Sequence, residues 1–264
     1  MRPPLLRSGK VVALAALIAA ATATATATAS AGAAPATENS PSVAVGPESG
    51  EGDRAAAAEA RVRASLERQL QRRGLRWGAP ILLQVFKEEN DLEVWVDDGE
   101  RYVLFRRYPI CHWSGAIGPK LRQGDQQAPE GFYAIRPGGM NPRSIAHLSM
   151  NLGYPNAYDR AHGRTGDFLM VHGSCYSIGC YAIGDDAIEQ VYTLARAAFA
   201  GGQREIPVHA FPFRFDLRQE IGWKDDPWAP FWRQLREGFD AFAASGRPPV
   251  VQVRDGRYVI AEAP

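Results

Sequence analysis

The chain reads as mainly β with flanking helices, an α+β class, on three observations. Short β-prone runs recur between Gly, Asp, Asn and Pro turn signals from residue 81 onward. Segments with a helical period are few and fall at the start, middle and end of the globular stretch. Six tryptophans among many other apolar residues supply enough material for one substantial core.

The N-terminal segment is set aside first. Arg2, Arg7 and Lys10 precede an apolar stretch, Val11 to Ala20, that is shorter than the ~20 residues a helix needs to span a bilayer. Small residues follow, with cleavage candidates at Ala29-Ser-Ala31 and Ala31-Gly-Ala33, so residues 1–33 read as a secretory signal peptide. An exported, periplasmic or cell-envelope protein without an integral span after cleavage is expected; an uncleaved anchor is the alternative. Residues 34–52, rich in Ala, Pro, Ser, Gly, Glu and Thr, read as a flexible linker.

Residues 53–76 hold an N-terminal helix, because Val62, Leu66 and Leu70 recur every four positions and Gly74 supplies a stop. Residues 77–264 form the main domain. Ile81–Phe86 is a strand-like run, and two further runs around Leu92–Val96 and Tyr102–Tyr108 flank the turn Asp98-Gly99 as a hairpin. Short strands are expected at Gly131–Ile135, Ala146–Met150 and Phe168–His172. Asp186 with Glu189 is expected to cap a helix carrying Ile188, Val191, Leu194, Ala195 and Ala198 on one face, ended by Gly201-Gly202. Trp223, Trp228, Phe231, Trp232, Phe239 and Phe242 mark an aromatic C-terminal helix, and a last hairpin turns at Asp255-Gly256.

Charge excludes some functions. The chain holds 30 Lys and Arg against 29 Asp and Glu, and subtracting Arg2, Arg7 and Lys10 leaves 27 basic residues and a net charge near −2. That balance exerts no general pull on nucleic acid or anionic membrane.

The chemistry concentrates in Phe168-Leu-Met-Val-His172-Gly-Ser-Cys175-Tyr-Ser-Ile-Gly179-Cys180. An apolar run delivers a histidine, and a loop of small residues then delivers a cysteine. A thiol of ordinary pKa, roughly 8.5, is mostly protonated at neutral pH, and a nearby imidazole can accept its proton. His172 is the candidate base and Cys180 the candidate nucleophile, with Gly179 before it so that backbone N–H groups can approach an oxyanion. The chain has three cysteines, an odd number for an exported protein, so one intramolecular pair leaves one thiol. A Cys111–Cys175 bond would leave Cys180 free. Duller readings are a core histidine, a local Cys175–Cys180 disulfide, or zinc held by these residues with His147, His162 or His209. The spacing does not match paired structural zinc motifs, so neither metal nor cofactor is expected.

The stretch VHGSCYSIGCYAI resembles the HG…(S/T)xGC signature of the YkuD-type L,D-transpeptidase catalytic domain, in its YafK-like branch. Ile110-Cys-His-Trp-Ser-Gly115 with Gly118-Pro-Lys120, Gly124 to Tyr133, Leu152 to Arg160 and Phe211-Pro-Phe-Arg214 carry the likeness across residues 78 to 260. The resemblance implies a YkuD-like β-rich domain whose cysteine attacks a carbonyl at diaminopimelate in peptidoglycan stem peptides. Water or an amine then resolves the acyl-enzyme, the latter giving a crosslink or an attached lipoprotein or other protein. It implies Cys180 as nucleophile, His172 as base, the Gly173 carbonyl as orienter of the imidazole, and Gly179 and Cys180 as oxyanion donors.

The commoner family motif, S/T-H-G-C with arginine two positions later, is altered: Ile178 replaces its histidine and Ala182 its arginine. Lys120, Arg122, Arg160, Arg164 and Ser177 are the candidate substrate contacts in their stead, since guanidinium groups can hold stem-peptide carboxylates bidentately. The altered groove favours hydrolytic release of an attached group over crosslinking. The competing expectation is a catalytically idle peptidoglycan-binding module.

Overall fold

A computed structural model describes residues 52–218 and 220–261 of the 264-residue chain. The expected signal peptide and nearly all of the expected linker lie outside the described residues. In order the elements are α1 (Gly52–Gln71), β1 (Ile81–Phe86), β2 (Asp91–Asp97), β3 (Tyr102–Pro109), β4 (His112–Trp113), β5 (Gly131–Ile135), β6 (Met140–Asn141), β7 (Ser149–Asn151), α2 (Ala157–Ala161), β8 (Met170–His172), β9 (Tyr181–Ala182), α3 (Asp185–Ala200), β10 (Ile206–Phe211), α4 (Ala229–Ser245), β11 (Val250–Arg254) and β12 (Arg257–Ala261). The class is α+β, with mixed sheets and helices around them.

One five-stranded sheet runs β3-β2-β1-β10-β5, with β1 and β10 parallel and the other pairs antiparallel. Both of its faces are covered, which is why Ile81–Phe86 is buried throughout and reads as a continuous apolar run. Leu83, Val85, Val208 and Ala210 face a core shared with α1 and α3, built from Leu66, Leu70, Ile188, Val191 and Ala195. Phe86 and Phe211, one residue out of step, face an aromatic core with Phe213, Trp223 and Trp232 below α4.

The second five-stranded sheet runs β4-β9-β8-β7-β6 and carries the candidate chemistry. Here β8 and β9 are parallel, with Val171 opposite Tyr181 and His172 opposite Ala182. A parallel pair joined by only eight residues (173–180) leaves no room for a crossover helix of ordinary length. Those residues instead bulge out as a loop, and that loop carries Cys180.

Local details revise several expectations. α3 begins at Asp185 with Gly184 as its N-cap at φ 79°, so Asp186 lies inside the first turn and caps nothing. Strand β7 starts at Ser149, because Ser144–Leu148 is taken up by turns, including His147 at φ 69°. The N-terminal helix ends at Gln71, before its expected limit of 76. β10 was not foreseen, since Pro207 and His209 interrupt its pattern. Its tolerance of Pro207 has a cause: pairing to β1 starts at Val208, and the Gln203 side chain serves Ile81 N–H and C=O instead, at 2.9 and 2.8 Å.

Candidate active site

The geometry begins with β8. Gly173 N–H donates to Leu148 O at 3.0 Å, extending the register that places Ser149 opposite His172. The ring Nδ1–H of His172 donates to the Gly173 carbonyl at 2.6 Å, which fixes the tautomer and leaves Nε2 as the basic nitrogen. Only glycine fits at 173, where a Cβ would sit 2.6 Å from Asp185 Oδ1 and 2.7 Å from Ala146 O. His172 is buried, and burial lowers its pKa below the ordinary 6.5 against the raising effect of the Gly173 bond. At neutral pH it is an uncharged base.

Cys180 ends the loop that returns to β9. Its thiol lies along β8, with Met170 N–H donating to Sγ at 3.4 Å and Sγ 3.5 Å from Phe168 O. Met170 opens the short strand that ends in His172, so the thiol is bonded to the strand that carries the imidazole. Burial pushes the Cys180 thiol up, partly opposed by the Met170 N–H bond and the nearby Lys120 ammonium. Burial thus favours the uncharged form of both side chains.

The loop is held at several points. Cys111 and Cys175 form a disulfide, with Cα atoms 5.5 Å apart, and Cys180 is the free cysteine. Ser174 N–H donates to Asp185 Oδ1 at 2.7 Å. Ser177 Oγ accepts Cys180 N–H at 2.7 Å and donates to Cys180 O at 2.8 Å. The Ser177 hydroxyl, an expected substrate contact, is bonded to the backbone of Cys180. Of the two expected oxyanion donors, Cys180 N–H is engaged, and Gly179 N–H makes no hydrogen bond among the described residues. Gly179 has φ 133°, a region closed to other residues, so this amide is aimed as only glycine allows.

The four basic candidates do not converge. Arg164 is buried, bonded to Asp159 Oδ1 at 2.9 Å and lying over the Tyr158 and Phe231 rings at 5.1 and 4.9 Å. These contacts hold it within the aromatic core. Lys120 is buried against Asp125 and donates to Arg122 O at 3.0 Å. Arg122 lines a cleft of about 310 Å³ with Ile117, Gly118, Gln127 and Trp228. That cleft borders the turn that leads to Cys180, since Gln127 O would lie 3.7 Å from a Cβ on Gly179. Arg160 lines a separate groove of about 1090 Å³ with Tyr154, His209, Val251 and Tyr258, and its guanidinium donates to Pro155 O.

A buried ion pair beneath the cleft escaped sequence reasoning. Lys87 Nζ reaches Glu130 Oε1 at 3.0 Å, with both side chains fully buried. Lys87 also donates to the carbonyls of Ala116, Gly118 and Ala128 at 2.9, 2.9 and 3.1 Å, while Glu130 accepts Gly118 N–H and Trp232 Nε1–H at 2.7 and 2.9 Å. The pair therefore shapes the segment that borders Gly179. Only the lone lysine beside an apolar strand end could have hinted at it.

The histidines of the zinc alternative are not gathered. His147 Nε2 meets Glu189 Oε1 at 2.7 Å, His162 Nε2 meets Gly256 O at 2.7 Å, and His209 is packed among Phe132, Phe211 and Phe242. Among the described residues no helix is long and apolar enough to cross a membrane.

Comparison with known proteins decides the family. YafK of Escherichia coli K12, which carries the name of an L,D-transpeptidase, is 43% identical over 185 residues, covering 70% of this chain and 75% of that protein. The chain belongs to the YafK-like L,D-transpeptidase family. The YafK protein of Escherichia coli O157:H7 matches equally. No family model matches the chain. Among solved structures, the helical cell shape determining protein Pgp2 of Campylobacter jejuni (K307A mutant) aligns with TM-score 0.39 and 21% identity, covering 53% of this chain and 49% of that one. Bd1075 of Bdellovibrio bacteriovorus aligns with TM-score 0.36 and 22% identity, covering 62% and 60%.

Proposed function

We propose that the protein performs cysteine-dependent acyl transfer on peptidoglycan stem peptides, with the acyl-enzyme formed at a diaminopimelate carbonyl. The observation that carries the reading is a free thiol, Cys180, bonded to the strand that ends in His172, whose Nε2 is left basic by the 2.6 Å bond from Nδ1–H to Gly173 O. His172 Nε2 takes the thiol proton, sulfur bonds to the carbonyl carbon, and the amide C–N bond breaks. His172 returns the proton to the departing amine. Gly179 N–H is the donor placed for the developing oxyanion.

Water resolves the acyl-enzyme in this reading, releasing an attached protein or other group from the wall. Two features support hydrolysis. Ala182 is fully buried in β9, so no cation stands where the commoner motif has arginine, and the four basic candidates are dispersed. A site that does not position an amine lacks the high effective molarity with which an amine outcompetes water. The leader read in residues 1–33 fits a periplasmic enzyme of the cell envelope.

The test incubates purified protein with peptidoglycan fragments, with and without an amine donor, and identifies products by mass spectrometry. Free carboxyl products that form with wild type and vanish with Cys180→Ala are expected. Undiminished turnover by Cys180→Ala would remove the reading, and predominant amine adducts would replace hydrolysis with transfer.

A further inference from the structure

His112 stands on β4, outside the His172–Cys180 pair, and nothing in the chemistry above uses it. Its Nδ1 accepts the Ser177 N–H at 3.1 Å. A neutral imidazole that accepts at Nδ1 carries its proton on Nε2, so this ring holds the opposite tautomer to His172. The ring also stacks on Tyr176 at 6.0 Å between centroids and 15° between planes. Its strand is fixed independently, because His112 lies opposite Ala182, Trp113 opposite Tyr181, and Cys111 N–H donates to Ala182 O at 2.9 Å.

The consequence follows link by link. Both backbone polar groups of Cys180 are bonded to one hydroxyl, that of Ser177. Ser177 is itself buried, and its own N–H is held by His112. The orientation of the Cys180 backbone is thus linked to β4 through Ser177. The Cys111–Cys175 disulfide ties the same two segments one step earlier. The disulfide ties the loop at Cys175, and the His112 bond adds a tie at Ser177.

We propose that His112 is a positioning residue for the nucleophile, acting through Ser177, in a site whose reading as a cysteine acyltransferase it presupposes. A displacement of about 1 Å at a reacting atom can lower a rate ~10²-fold, so a single bond at this point has kinetic weight.

Asparagine provides the decisive variant. Its Oδ1 stands at the same bond distance from Cβ as histidine Nδ1, so His112→Asn keeps an acceptor for Ser177 N–H. His112→Phe keeps the ring and its stack on Tyr176 but has no acceptor. Turnover of peptidoglycan fragments should fall about 10- to 100-fold in His112→Phe and recover at least tenfold from that level in His112→Asn. Alkylation of Cys180 by iodoacetamide, which needs an accessible thiol but no aligned carbonyl, should change less than about threefold in both. Ser177→Ala should match His112→Phe, and the double variant should be no slower than either, since one chain of contacts is being cut twice. If the phenylalanine variant does not fold, His112→Gln replaces it: its oxygen lies one bond too far, so it must lose rate where asparagine keeps it. Wild-type turnover in His112→Phe, equal losses in the asparagine and phenylalanine variants, or additive losses with Ser177→Ala would each overturn the proposal. Wild-type protein inert toward the fragments would instead refute the acyltransferase reading on which it rests.

Discussion

Removing the Cys111–Cys175 disulfide tests how much of the fold and of the site that bond holds. The perturbation is the double variant Cys111→Ala/Cys175→Ala, which leaves no unpaired partner thiol. The bond closes a loop of sequence separation 64. In the chain-entropy account, a cross-link of that span stabilises by about 4 kcal/mol, between ~3 for a 15-residue loop and ~4.7 for a 100-residue one. Urea unfolding of wild type and variant at neutral pH, followed by tryptophan fluorescence, measures it. The effect on turnover should be smaller, a severalfold loss, because Ser174 stays bonded to Asp185 and Ser177 to His112. A stability loss under about 1 kcal/mol would refute the loop-closure argument. Complete loss of turnover in a folded variant would refute the claim that the other two anchors suffice to hold the loop.

Other expectations follow from single contacts. His172→Gln should lower turnover ~10²- to 10⁴-fold, the usual weight of a general base. In wild type the acid limb of the rate profile should lie below pH 6.5, because the folded His172 is harder to protonate than a free imidazole, so the base is lost only as pH falls through that lowered value. Glu130→Gln leaves a buried lysine unpaired and should destabilise by about 3–5 kcal/mol, whereas Lys87→Met/Glu130→Leu should lose clearly less; equal losses, by chemical denaturation, would contradict the ion-pair account. His209 is fully buried with its pKa lowered to about 3, and its Nδ1 has no hydrogen-bond partner among the described residues. The unfolded chain therefore binds the extra proton below ~6.5, and stability should fall by about 1.4 kcal/mol per pH unit there, about 2 kcal/mol at pH 5. His209→Leu should flatten that slope, which denaturation at several pH values reads directly.

The fold was legible where local chemistry decides it. The β2–β3 hairpin turns where Asp98 Oδ1 accepts the N–H groups of Glu100 and Arg101 at 2.9 and 2.8 Å, a short-range pattern visible in the sequence. The last hairpin turns at Asp255 and Gly256, both at positive φ, for a similar reason. β10 was invisible because its partners lie elsewhere in the chain. Its parallel neighbour β1 is more than a hundred residues away, and its Pro207 and His209 are tolerated only by what Gln203 and three phenylalanines do around them. The two-residue strands β4, β6 and β9 carry no period at all.

Within the site, legibility followed the kind of information each residue carries. A histidine at a strand end and a cysteine after glycine name their chemistry by type, so His172 and Cys180 stand out as candidates in the sequence alone. A charge or a hydroxyl names no partner. Arg164 and Asp159 lie five residues apart in sequence, yet nothing there says that both are buried against each other rather than facing solvent. Lys120 and Asp125 pose the same problem. Ser177 belongs to the very motif that identified the nucleophile, and its role still depended on finding its oxygen between Cys180 N and O. The partner that completes the arrangement, His112, lies 65 positions before Ser177. Folding brings it there because the segment after Cys111 pairs with β9 while the disulfide draws the loop back over the same strand. The candidate residues are thus named locally, while the loop that carries Cys180 is held by a strand that the sequence does not announce.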